Sequence, residues 1–109
     1  MVGLMKKKHM SSTERRIGVI LRKRLYKEQD GYCAYCGKYM TSEEATLDHI
    51  IPFSHGGPTT DKNCVVCCRK CNELKANTPL KKVWFMIKSP RCFVKLSPFI
   101  GLRIMKGRE

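Results

Sequence analysis

The sequence predicts a small α+β domain stapled by a metal ion, and three observations carry that prediction. Cysteines recur as two Cys-x-x-Cys pairs, Cys33 with Cys36 and Cys68 with Cys71, separated by 31 residues. Two short apolar runs, 47–51 and 64–67, read as strands, the first of them stopped by Pro52 and the Gly56-Gly57-Pro58 stretch beyond it. On either side of them, apolar residues fall at the three- and four-residue spacing of helices. With 109 residues the chain can bury only a modest core, so a staple would help it fold.

The elements follow in order. Residues 1–12 are basic, polar and aperiodic and read as a mobile arm, with His9 an inert part of it; residues 13–109 read as a single domain. Thr13 is expected to cap a helix reaching residue 29, with Ile17, Ile20, Leu21 and Leu25 on one face, Arg15, Arg16, Arg22, Lys23 and Lys27 on the other, and Gly31 as its stop. "YCAYCGKYM" is a tight cysteine turn, 47–51 the first strand, 53–61 a loop, 64–67 the second strand and 69–77 a short helix. Thr78 and Pro79 open another helix whose Leu80, Val83, Trp84 and Ile87 form an apolar stripe, read as core rather than as a base-stacking platform. Beyond Ser89 the alternation of Cys92, Val94 and Leu96 permits a strand.

Charge narrows the partner. The 22 Lys and Arg outnumber nine Asp and Glu for a net charge of +13, and residues 39–61 carry no basic residue at all. Two basic flanks around an acidic centre fit a polyanion, and nucleic acid best. No apolar run approaches the roughly 18 residues of a membrane span. Seven cysteines are an odd set, and the N-terminal "MVGLM" gives way at once to lysines rather than forming a secretory signal. Metal thiolates in a reducing cytoplasm therefore fit better than disulfides.

Each Cys-x-x-Cys pair can hold one edge of a tetrahedral zinc with bonds of about 2.3 Å. Cys64 and Cys67 offer the same spacing, but on a strand residues three apart point to opposite faces. Cys68 and Cys71 are thus the expected second pair, and Cys64, Cys67 and Cys92 are read as small core hydrophobes. A four-cysteine zinc is coordinatively closed and structural, so any chemistry must lie elsewhere. The His-x-Glu and Pro-Cys-x-x-Cys signature of zinc deaminases is missing.

Between and beside the cysteine pairs stand Asp48, His49, Asn63 and Asn72. With them, "CAYCG … LDHIIPFSHGG … DKNCVVCCRKCNELK" resembles the HNH endonuclease family, in the subgroup whose ββα-metal, treble-clef-like core is held by a four-cysteine zinc. The match covers roughly residues 31–77, with basic helix 13–29 before it and a C-terminal helix and tail, 79–109, after it. The resemblance implies that His49 is the general base, that Asp48 and Asn72 bind a catalytic Mg²⁺ or Mn²⁺, and that Asn63 fixes the loop that orients the base. Asn72 stands where many members have His, which makes this a His–Asn–Asn variant with two protein ligands to the catalytic ion.

The chemistry of the residue types agrees. Imidazole with a pKa of roughly 6.5 is mostly neutral at pH 7 and suited to take a proton. Carboxylate and amide oxygens are hard donors that suit magnesium or manganese. Asp48 and His49, as successive strand residues, point to opposite faces. His55 and Lys75 are candidate phosphate contacts, Lys75 otherwise being solvated surface. The expectation is a metal-dependent DNA endonuclease of low sequence specificity, nicking or cutting both strands, as monomer or homodimer in a bacterial or phage cytoplasm. The alternative is a non-catalytic zinc-stapled DNA-binding module, and aromatic-rich single-strand recognition is not expected.

Overall fold

A computed structural model of the chain describes residues 10–89 and 92–100. His9, most of the expected arm and the end of the expected tail lie outside them.

Helix α1, Ser12–Glu28, has its cap two residues earlier than the sequence suggests, at Ser11 rather than Thr13. Ser11 Oγ accepts from the Glu14 amide at 3.1 Å while Glu14 accepts from the Ser11 amide at 3.2 Å, a reciprocal capping box. The helix ends at Gln29, ahead of Gly31, and the chain turns through Asp30 and Gly31, both at positive φ. Leu21 and Leu25 are buried, whereas Ile17 and Ile20 of the same predicted stripe are exposed. The reason is the size of the sheet. Strands β1, Thr46–His49, and β2, Cys64–Cys67, have four residues each and pair antiparallel with Asp48 opposite Val65 and His49 opposite Cys64.

Residues 50 and 51, expected in the first strand, have left it, although the Ile50 amide still reaches the Asn63 carbonyl at 2.7 Å. The free edge of β2 is occupied by a side chain. Gln29, buried at the end of α1, donates to the Val66 carbonyl and accepts from the Val66 amide, both at 2.9 Å, and so stands in for a third strand. Arg24 adds exposed ion pairs to Glu28 and Asp61, worth little in energy but linking α1 to the loop before β2.

Helix α2, Arg69–Lys75, packs on β1 with Cys68 as its cap. The helix expected from Pro79 is short: α3 covers only Leu80–Val83 before a 3-10 turn, Trp84–Met86. Val83 leaves helical geometry at φ −126, yet Val83 and Ile87 of the predicted stripe still pack, partly buried, against the core. Leu80 and Met86 enter the core, while Trp84, expected there, is exposed together with Phe85. The alternation at 92–96 is not a strand either. Helix α4, Phe93–Leu96, and a 3-10 turn, Ser97–Ile100, take its place, and Leu96 is buried.

Candidate functional site

Cys33, Cys36, Cys68 and Cys71 bring their sulfurs within 4.8 Å of one another. Bonds of about 2.3 Å to one tetrahedral ion require sulfurs about 3.8 Å apart, and Cys36 and Cys68 stand at 3.9 Å. The local chain explains the convergence. Gly37 at φ +82 closes the first turn by donating to the Cys33 carbonyl at 3.0 Å, and the first turn of α2 sets the second pair. Amides of Tyr35, Cys36 and Cys68 all point at Cys33 Sγ at 3.4 Å. Burial pushes the Cys68 thiol up, but hydrogen bonds from the Cys71 amide and neighbouring thiols bring it net below its usual range. Burial and the charge of Cys33 push the Cys71 thiol up. The group can bind a metal such as zinc. Cys64 and Cys67 are buried in β2, outside the cluster, and Cys92 is half-buried against the core.

Alternation along β1 divides the next two residues. Asp48 is 5% exposed and faces α2, as does Thr46. Its Oδ2 accepts from the Tyr35 hydroxyl at 2.5 Å and pairs with Lys75 Nζ at 3.3 Å, and Nζ also reaches Oδ1 at 3.5 Å. Lys75 is wholly buried and gives a further bond to the His49 carbonyl at 2.9 Å. It is thus neither surface nor open to a phosphate, contrary to expectation; its place three residues beyond Asn72 puts both over the same strand face. Burial raises the Asp48 pKa, and Lys75 and Tyr35 pull it back. Burial and the Asp48 charge hold Tyr35 protonated, as a donor must be.

His49 turns to the opposite side. Its Nε2 lies 2.8 Å from Thr59 Oγ1, and its ring meets Phe53 edge-on. Burial lowers its pKa, with Lys75 acting in the same direction against Asp48, so the imidazole is neutral at pH 7. The loop carrying Thr59 is tied by Asn63, which accepts from the Ile51 amide at 2.9 Å and donates to the carbonyls of Ile51 at 3.1 Å and Pro58 at 2.9 Å. Gly57 is required there because a Cβ would collide with the Ile51 carbonyl. Asn72 donates through Nδ2 to Thr46 Oγ1 at 2.9 Å. His55 is exposed on the loop with Ser54 at 3.3 Å and does not join the others. Sequence reasoning missed Tyr35, Thr46 and Thr59. Tyr35 had one signal, its place inside the first cysteine turn.

Comparison with known proteins locates this core. Residues 33–83 match the HNH endonuclease family. The CRISPR-associated endonuclease Cas9 of Corynebacterium diphtheriae is 42% identical over 57 residues, 51% of this chain and 5% of that protein. The Cas9 of Actinomyces naeslundii is 32% identical over 92 residues, 84% of this chain and 8% of that protein. The crystal structure of the Type II-C Cas9 enzyme from Actinomyces naeslundii superposes with a TM-score of 0.55 at 33% identity, covering 74% of this chain and 9% of that one. The chain therefore spans less than a tenth of the length of these relatives.

Proposed function

Residues 33–83 of this chain belong to the HNH endonuclease family, and from that premise we propose that it hydrolyses DNA phosphodiester bonds with His49 as general base beside a divalent-cation site of Asp48 and Asn72. The observation that carries this reading is the division of β1: a neutral imidazole on one side of the strand and a carboxylate shared with the α2 face on the other. Asp48 and Asn72 would supply a carboxylate and an amide oxygen, donors that suit a hard cation, which would share the carboxylate with Lys75 and Tyr35. A magnesium or manganese ion bound there supplies charge neutralisation on the phosphate and the leaving alkoxide.

The residues of the chain do the rest. In the His49 tautomer that donates Nε2–H to Thr59, Nδ1 is left to take the proton of the attacking water. Asn63 holds the Thr59 loop and so the ring. Tyr35 and Lys75 hold the Asp48 carboxylate in one orientation. Two protein ligands would bind a cation weakly, and a DNA phosphate would be needed to complete the site. The four-cysteine zinc has no open position and serves the fold. Basic residues grip the DNA backbone, and six such contacts give a log–log salt slope of about −5.

Supercoiled plasmid incubated with Mg²⁺ or Mn²⁺ tests the reading. Wild-type protein is expected to yield relaxed or linear DNA, and His49→Ala to lose that activity. Undiminished cleavage by the variant would sink the mechanism. DNA binding without cleavage under either metal would establish the binding-module alternative.

A further inference from the structure

Trp84 and Phe85 stand 57% and 67% exposed on the 3-10 turn after α3. Burying either ring would stabilise the fold by about 2–3 kcal/mol, yet the turn spends its core positions on Leu80 and Met86 and sends both rings outward. Lys81, Lys82 and Lys88, all exposed, flank them. The sequence from 74 to 108 contains no Asp or Glu and nine Lys or Arg. Adjacent exposed rings with exposed lysines on either side of them in the sequence suit a polyanion that also offers planar faces. A nucleic-acid strand with unstacked bases is such a partner; a duplex presents its phosphates but keeps its base faces stacked inside.

We infer that Trp84 and Phe85, with Lys81, Lys82 and Lys88, form a stacking platform for the unpaired bases of single-stranded DNA. The inference rests on the nuclease reading only for the choice of DNA. It deepens that reading by making a substrate with an unpaired stretch the preferred one. The rings take successive bases and the lysines follow the phosphates between them. Neither ring belongs to the Asp48–His49 site.

The chain holds a single tryptophan, so its emission reports on Trp84 alone. The titration uses His49→Ala, to prevent cleavage, with an oligo(dT) strand and, separately, a hairpin duplex of equal phosphate number. The single strand is expected to quench emission strongly and the duplex weakly. Trp84→Ala and Phe85→Ala, checked for folding by circular dichroism and titrated by the fluorescence anisotropy of a labelled oligo(dT), are expected to weaken binding about five- to hundredfold, with Trp84→Phe restoring most of it. Lys81→Gln with Lys82→Gln is expected to reduce the single-strand salt slope by about 1.4. Unchanged emission and unchanged affinity in Trp84→Ala would overturn the platform. So would equal losses for strand and duplex, or an emission change that follows protein concentration or acidic lipid vesicles instead of DNA. Quenching in a protein that never cuts plasmid would refute the nuclease and leave the platform; cutting with an indifferent Trp84 would do the reverse.

Discussion

The four-cysteine cluster and the Asp48–His49 strand end occupy the same small core but are assembled in opposite ways. Each cysteine pair is set by a single tight turn, so spacing in the sequence is nearly its geometry. Asp48 instead draws its partners from two distant places, Tyr35 in the cysteine turn and Lys75 at the end of α2, and His49 draws on Thr59 in the loop. The first kind of site survives or fails as a unit. The second can be taken apart one hydrogen bond at a time.

The largest expected effect tests the unit. Structural zinc contributes about 10–16 kcal/mol in small domains, as much as such a domain's whole stability. Chelation or Cys33→Ser is expected to abolish the far-UV dichroism of the fold, with zinc restoring it only in the chelated wild type. Cys64→Ser is expected to keep a full complement of zinc by metal analysis. Loss of zinc from Cys64→Ser, or a folded chelated protein, would erase the distinction between the cluster and the rest of the core.

Next comes the buried ion pair. Lys75→Met leaves the Asp48 carboxylate buried without its cation and is expected to cost about 3–5 kcal/mol by denaturant unfolding. Asp48→Asn combined with Lys75→Met is expected to recover most of that loss, because the cost is an unpaired charge rather than a missing contact. A single variant within 1 kcal/mol of wild type, on the scale where exposed pairs lie, would mean that water reaches the pair.

This contrast also explains what the sequence disclosed. The four-cysteine cluster, the two strands and helix α2 were legible because they follow from short-range rules: x-x spacing, period-two alternation and a turn. Asn63 was legible through the family resemblance, and its three bonds to the 51–58 loop are of the kind expected. Lys75 was not, because a lysine three residues past Asn72 on a helix seven residues long looks like surface until α2 is laid across β1. Trp84 failed for the opposite reason: its helical spacing is real in the sequence, but the helix stops at Val83. Local pattern predicts a face; whether anything covers it is decided by tertiary packing.

A smaller loss is expected at the loop. Asn63→Ala strips partners from the Ile51 amide and the Ile51 and Pro58 carbonyls, at about 1–3 kcal/mol. Since the same loop carries Thr59, plasmid cleavage is expected to fall by more than the stability change alone accounts for. Equal cleavage per folded molecule would separate the loop from the chemistry.

The smallest effect is a displaced midpoint. Burial lowers the His49 pKa below its ordinary value of 6.5, so the folded protein binds this proton less readily than the unfolded chain. Between the two values the unfolded state carries more protons, and stability therefore rises with pH there. The contribution of neutral His49 is complete above pH 6.5 and is lost as pH falls toward the folded value. The acid limb of the cleavage profile is expected to have its midpoint below 6.5 for the same reason, since the base is ready once the imidazole is neutral. Thr59→Val, which removes the hydroxyl at Nε2, is expected to reduce the rate while the limb stays on the acid side of 6.5, because burial rather than that hydrogen bond sets the shift. A limb centred above 6.5 in the wild type would place His49 beside a negative charge stronger than Asp48 exerts through its pairing with Lys75.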